Sequence, residues 1–116
     1  MGLRQAEVVI DCADHERVVE FWIDALGWER EDINEQYVAV VPPSGAPGLP
    51  LLFQRVPEPK AVKNRVHLDF RAESMTDEIG RLAALGATRL AEHSLGATRW
   101  TIMADPEGNE FCVVQA

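Results

Sequence analysis

Two rhythms of apolar positions run through this chain. One is the alternation of a strand, where successive side chains point to opposite faces. It is clearest at 65–71: Val66, Leu68 and Phe70 fall on one face, and Arg65, His67, Asp69 and Arg71 on the other. The same alternation predicts a first strand over 7–12, with Val8 and Ile10 opposite Glu7, Val9 and Asp11. The second rhythm is the 3.6-residue period of a surface helix. After Asp14, a good N-cap, Val18, Trp22, Ala25 and Leu26 form one stripe, joined by Phe21, and Gly27 is a stop signal. After Ser74, Met75, Ile79, Leu82 and Leu85 form another, ending at Gly86; Ser74 and Asp77 stand as the two ends of a capping box.

The remaining segments sort by composition. Strands are predicted over 28–31, 36–41 and 51–55 in the first half, and over 87–91, 97–103 and 109–115 in the second. The run 42–50 (PPSGAPGLP) is a loop, and Asp105-Pro106-Glu107-Gly108 is a turn. Residues 56–64 read as a linker. Setting Glu7 against His67 aligns the halves: strand, helix, then three strands, each helix closing on Ala-Leu-Gly (Ala25-Leu26-Gly27 and Ala84-Leu85-Gly86). The fold class is therefore α+β, a single domain over 1–116 made of two tandem βαβββ modules, one at about 5–56 and one at about 65–116.

Composition narrows the classes. At 116 residues and 47% hydrophobic content the chain can bury one compact core. No apolar run approaches the roughly 20 residues of a membrane helix, and the first residues carry no leader pattern, so a cytoplasmic protein without membrane partners is expected. Cys12 and Cys112 are too few for a disulfide framework. The net charge of −8 argues against nucleic acid and suits a cationic or neutral small ligand. Nucleophile-elbow, phosphate-loop and dinucleotide-binding motifs are all missing.

Certain residues carry a resemblance. They are Asp14, Glu20-Phe21-Trp22 and Leu26-Gly27-Trp28, then Arg65-Val66-His67-Leu68-Asp69-Phe70, Leu85-Gly86-Ala87 and Asp105-Pro106-Glu107-Gly108-Asn109-Glu110-Phe111. On these the chain resembles the vicinal oxygen chelate superfamily, in its glyoxalase-like or bleomycin-resistance-like branch. The resemblance implies two modules whose curved mixed sheets form an open cup around a ligand, and a homodimer. It also implies a divalent metal, zinc or else manganese, magnesium or iron, with ligand positions falling at or near Glu7, Gln54, His67 and Cys112. Strand parity, which is independent of the family, lets these four side chains face one way. Cys112 stands where the family usually has a carboxylate, and a thiolate would favour zinc.

Two functions follow from the resemblance. One is a metal-dependent lyase or isomerase acting on adjacent substrate oxygens, with Glu7 as proton-transfer base. The other is a non-catalytic, antibiotic-sequestering binder holding an aromatic or cationic molecule against Trp100 and Tyr37. Asp69 and Gln54 complete the expected ligand-binding set. His15 is expected as a solvated surface residue, His93 as a loop or strand-end residue, and Trp100 as a pocket wall.

Overall fold

A computed structural model describes residues 2–116. The chain divides into two compact units, Met1–Pro59 and Lys60–Ala116. Each is a βαβββ module: β1 (Val8–Cys12), α1 (His15–Leu26), β2 (Glu29–Asp32), β3 (Tyr37–Val41) and β4 (Leu51–Arg55), then β5 (Leu68–Ala72), α2 (Met75–Leu85), β6 (Thr88–Leu95), β7 (Thr98–Ala104) and β8 (Glu110–Gln115). The sheets are mixed, ordered β1-β4-β3-β2 and β5-β8-β7-β6. In each, the first strand lies parallel to the last and the other pairs are antiparallel.

In the first unit Val18, Val19, Phe21 and Trp22 of α1 are buried, with Val38, Val40, Leu51 and Phe53 of the sheet. Phe21 and Trp22 meet edge to face, 5.1 Å between centroids. The helix starts where Asp14 Oδ1 accepts the Glu16 N–H at 3.0 Å, and ends where Gly27, at φ 67°, donates its N–H to the Ile23 carbonyl. His15 is not a solvated residue. Its Nε2 lies 3.1 Å from the carbonyl oxygens of both Gln36 and Phe53, so it fastens the helix start to the β2–β3 loop and to β4.

In the second unit one face of the sheet packs under α2. Phe111, Val113, Met103 and Thr101 are buried with Met75 and Leu82, and Phe70 meets Phe111 edge to face at 6.1 Å. Ser74 Oγ accepts the Asp77 N–H, the first half of the expected capping box. A second clamp comes from far along the chain: Gln115 Oε1 accepts the Met75 N–H at 2.9 Å, while its Nε2 donates to the Glu73 carbonyl at 2.7 Å. The Asp105–Asn109 turn closes on Asp105 Oδ1, which accepts the Glu107 and Asn109 amides at 2.9 and 3.0 Å, with Gly108 at φ 87°.

Two segments differ from the sequence reading. β6 runs on to Leu95, four residues past its expected end, across an irregularity between Arg89 and Ala91. The linker is tied down at its C-terminal part: Lys60 forms an ion pair with Glu110, and the Asn64 amide donates to Glu110 Oε1 at 3.0 Å.

Candidate functional site

The sheet of the second unit has a face that α2 does not cover, and the register sets its layout. β5 and β8 pair Asp69 with Cys112 and Arg71 with Val114. β8 and β7 pair Val114 with Trp100, and β7 and β6 pair Trp100 with His93. Directly paired residues share a face. One row across four strands therefore reads Arg71, Val114, Trp100, His93, and the next begins Asp69, Cys112. An open hollow of about 530 Å³ lies on this face, lined by His67, Asp69, Cys112, Arg71, Val114, Trp100 and Thr98. That is within the size range of small-ligand sites.

At one end three donors converge. His67, one residue before β5, Asp69 within it and Cys112 on β8 place a ring nitrogen, a carboxylate oxygen and a sulfur within 4.8 Å of one another. His67 Nε2 lies 3.2 Å from Asp69 Oδ1. The thiol is buried, 4% exposed, and its pKa is pushed up to about 11. Burial contributes most, then the Asp69 charge and the thiol's hydrogen bond to that carboxylate, against a weak opposing pull from Lys63. The protonated thiol and Asp69 thus hold each other. A metal would replace that proton, since thiols ligate as thiolates. The donor set fits a zinc-class ion: nitrogen, oxygen and sulfur, with metal–ligand distances of about 2.0–2.3 Å that need only short approach from these positions.

The first unit places its expected residues differently. Glu7 lies one residue before β1, as His67 lies one before β5, and is exposed. Gln54 pairs with Asp11 on one side and Tyr37 on the other, so these three form a row of their own. By register, the position matching Cys112 is not Gln54 but Leu52, which pairs with Val9 as Cys112 pairs with Asp69. A separate hollow in this unit is lined by Asn34, Gln36, Arg55 and Pro57 among others.

His93, expected at a loop or strand end, lies within β6. It stacks on Trp100, centroids 5.7 Å apart and planes at 30°, because β6 extends far enough to reach it. The only sequence signal was its parity with Ala91 on an extended strand. Asp69, expected as a ligand contact, also stands among the three converging donors; its two-residue spacing from His67 already puts both on one face.

A family model described as a glyoxalase-like domain matches residues 7–114. The chain belongs to the glyoxalase-like domain family. It is thereby a member of the vicinal oxygen chelate superfamily, and its two βαβββ modules are that fold. Solved structures agree. A genomically encoded fosfomycin resistance protein, FosX, from Listeria monocytogenes has a TM-score of 0.80 at 14% identity, covering 100% of this chain and 95% of that one. A member of the glyoxalase/bleomycin resistance protein/dioxygenase superfamily from Sphaerobacter thermophilus has a TM-score of 0.74 at 21% identity, with both chains covered in full. A lactoylglutathione lyase from Agrobacterium tumefaciens has a TM-score of 0.70 at 18% identity, covering 97% and 93%. No curated protein matches the sequence. At such identities these neighbours share the fold of this glyoxalase-like chain. Among the described residues, no helix is long and apolar enough to cross a membrane.

Proposed function

We propose that this glyoxalase-like protein binds a small molecule on the open face of its second unit, and that His67, Asp69 and Cys112 hold one zinc-class divalent ion there. In this reading the protein is a lyase or isomerase acting on a substrate with adjacent oxygens, working as a cytoplasmic homodimer. The observation that supports it is the convergence of nitrogen, oxygen and sulfur donors at one end of a ligand-sized hollow. Bound there, the ion supplies Lewis-acid polarisation of substrate oxygens. The chain's own residues do the rest. Asp69 fixes the His67 ring through Nε2 in the absence of the ion. Trp100, backed by His93, gives a flat wall against which a ligand orients.

Zinc titration with metal analysis tests this. The wild type is expected to retain one zinc per chain after desalting and to gain thermal stability from it, by about 2.7 kcal/mol at a hundredfold excess of free ion over Kd. His67→Ala and Cys112→Ser are expected to lose both effects. A wild type that takes up no zinc, with a melting temperature indifferent to zinc and to chelator, overturns the metal reading. A second reading, a non-catalytic sequestering protein, draws on the protonated thiol held against Asp69. It predicts saturable ligand binding that is unchanged by chelator and by Glu7→Gln.

A further inference from the structure

Among the described residues, Arg71 is the one arginine or lysine that lines the hollow. Two carboxylates of this sheet are engaged, and Lys63 adds a weak positive influence at Cys112. Asp69 is held by His67 and by the Cys112 thiol. Glu110, the residue preceding Phe111 on β8, is neutralised by Lys60 and capped by the Asn64 amide. Arg71 itself makes no ion pair and no side-chain hydrogen bond among the described residues. The eight other arginines on this acidic chain would be unremarkable if unpaired at the surface. Arg71 differs because register sets it at the end of the row that continues through Val114 to Trp100.

We infer that the site selects a small anion with a flat or apolar body. Arg71 takes a carboxylate, phosphonate or phosphate head, helped by the Thr98 hydroxyl at the same hollow; Val114 floors the body and Trp100 walls it. A guanidinium presents a planar fork of donors that matches such heads two at a time. Arg71 stands two residues beyond Asp69 on the same face, about 6.6 Å along the strand, so the head sits one row away from the His67, Asp69 and Cys112 donors. This deepens the proposed function and rests on its choice of face. It also reverses the ligand sign that the net charge of −8 suggests: the overall charge belongs to the outer surface, whereas the unengaged charge in the hollow is positive. A zinc-class ion on the three donors would leave the hollow net positive as well.

The test uses four one-ring probes of nearly equal size: benzoate, phenylphosphonate, benzamide and benzylamine. Binding is followed by calorimetry and by the amide and indole NMR signals of the full chain, in chelator and again with zinc. The wild type is expected to bind the two anions about tenfold more tightly than benzamide, the size of one charge-assisted hydrogen bond, and benzylamine more weakly still. Arg71→Met is expected to remove that preference while leaving the benzamide affinity, the melting temperature and the zinc content unchanged. Arg71→Lys is expected to restore it in part. Trp100→Ala is expected to weaken anions and benzamide alike. The inference is overturned if Arg71→Met keeps the anion preference, if benzamide or benzylamine binds as tightly as benzoate, or if neither anion shows saturable binding. Failure of the metal reading is seen separately, as no zinc uptake by the wild type. An anion preference that depends on zinc but not on Arg71 sinks this inference and spares the metal.

Discussion

Gly48 carries a constraint that its neighbours in the Pro42–Pro50 loop do not. Its φ of 126° lies where side chains are strained, and a Cβ there would come within 2.7 Å of the Trp28 ring. Trp28 follows the helix-ending Gly27, so this contact pins the loop to the α1–β2 connection instead of leaving it as a loose lid. Gly48→Ala is expected to lower stability by about 2 kcal/mol in a urea titration, with α1 and the sheet otherwise intact. The Cys112 thiol sets a second residue-scale prediction. In a Cys12→Ser background its alkylation rate is expected to keep rising with pH toward about 11, and Asp69→Asn to lower that midpoint only in part, because burial, the largest cause, remains. The sign for stability follows. A thiol pKa raised by folding contributes stability below about 9 that is lost as pH climbs toward 11. Zinc, if held as proposed, protects the thiol from alkylation throughout that range.

At the scale of elements, α2 shows how a helix start is fixed from a distance. Ser74 supplies the local cap, but the Met75 amide is satisfied by Gln115, 40 residues away on β8. Gln115→Leu leaves that amide and the Glu73 carbonyl without their partner, and is expected to cost about 1–2 kcal/mol. Hydrogen exchange should show lost protection confined to the first turn of α2; uniform loss along the helix would contradict the assignment. Local rules made most of the elements readable. Asp14, Ser74, Gly27 and Gly86 announced both helices, and alternation announced the strands. Where reading stopped short, a long-range partner was responsible. β6 continues through Glu92 and His93 because β7 pairs with it as far as Leu95↔Thr98, although its own sequence is polar and mostly exposed. β2, expected over 28–31, is four charged residues in a row and is held as a strand by the edge of β3 and by Arg30, which bridges Glu20 and Asp32. His15 follows the same logic: its two carbonyl partners lie 21 and 38 residues away.

At the scale of the molecule, each unit carries its own core, and the segment between them is divided. Val56 donates its amide to the Cys12 carbonyl in the first unit, whereas Lys60 and Asn64 are bound to Glu110 in the second. Burial pushes the Glu110 carboxyl up, but the Lys60 ammonium and the Asn64 amide together hold it below its usual value. A carboxyl whose pKa is lowered by folding contributes stability above the unfolded value of about 4.5, lost as pH falls through the folded one. Glu110→Gln is therefore expected to cost about 2 kcal/mol at pH 7, with the gap to wild type closing below pH 4 in acid-unfolding curves. An undiminished gap at pH 3 would place the loss in packing instead.

By itself the sequence determined the two-module repeat, the face on which each strand residue lies, and the candidacy of His67, Asp69, Cys112 and Trp100. The repeat and the faces are consequences of period and parity, which one strand or helix expresses alone, whereas the ligand positions were implied by the resemblance to the family. Only the tertiary structure decided which residues stand beside which. Register put Asp69 against Cys112 and Arg71 in line with Trp100, and made Leu52, not Gln54, the counterpart of Cys112. Register is a property of paired strands, and no single strand contains it. The His67 strand, the clearest alternation in the chain, thus supplied two of the three candidate donors, His67 and Asp69; the sheet built around it brought up the third, Cys112.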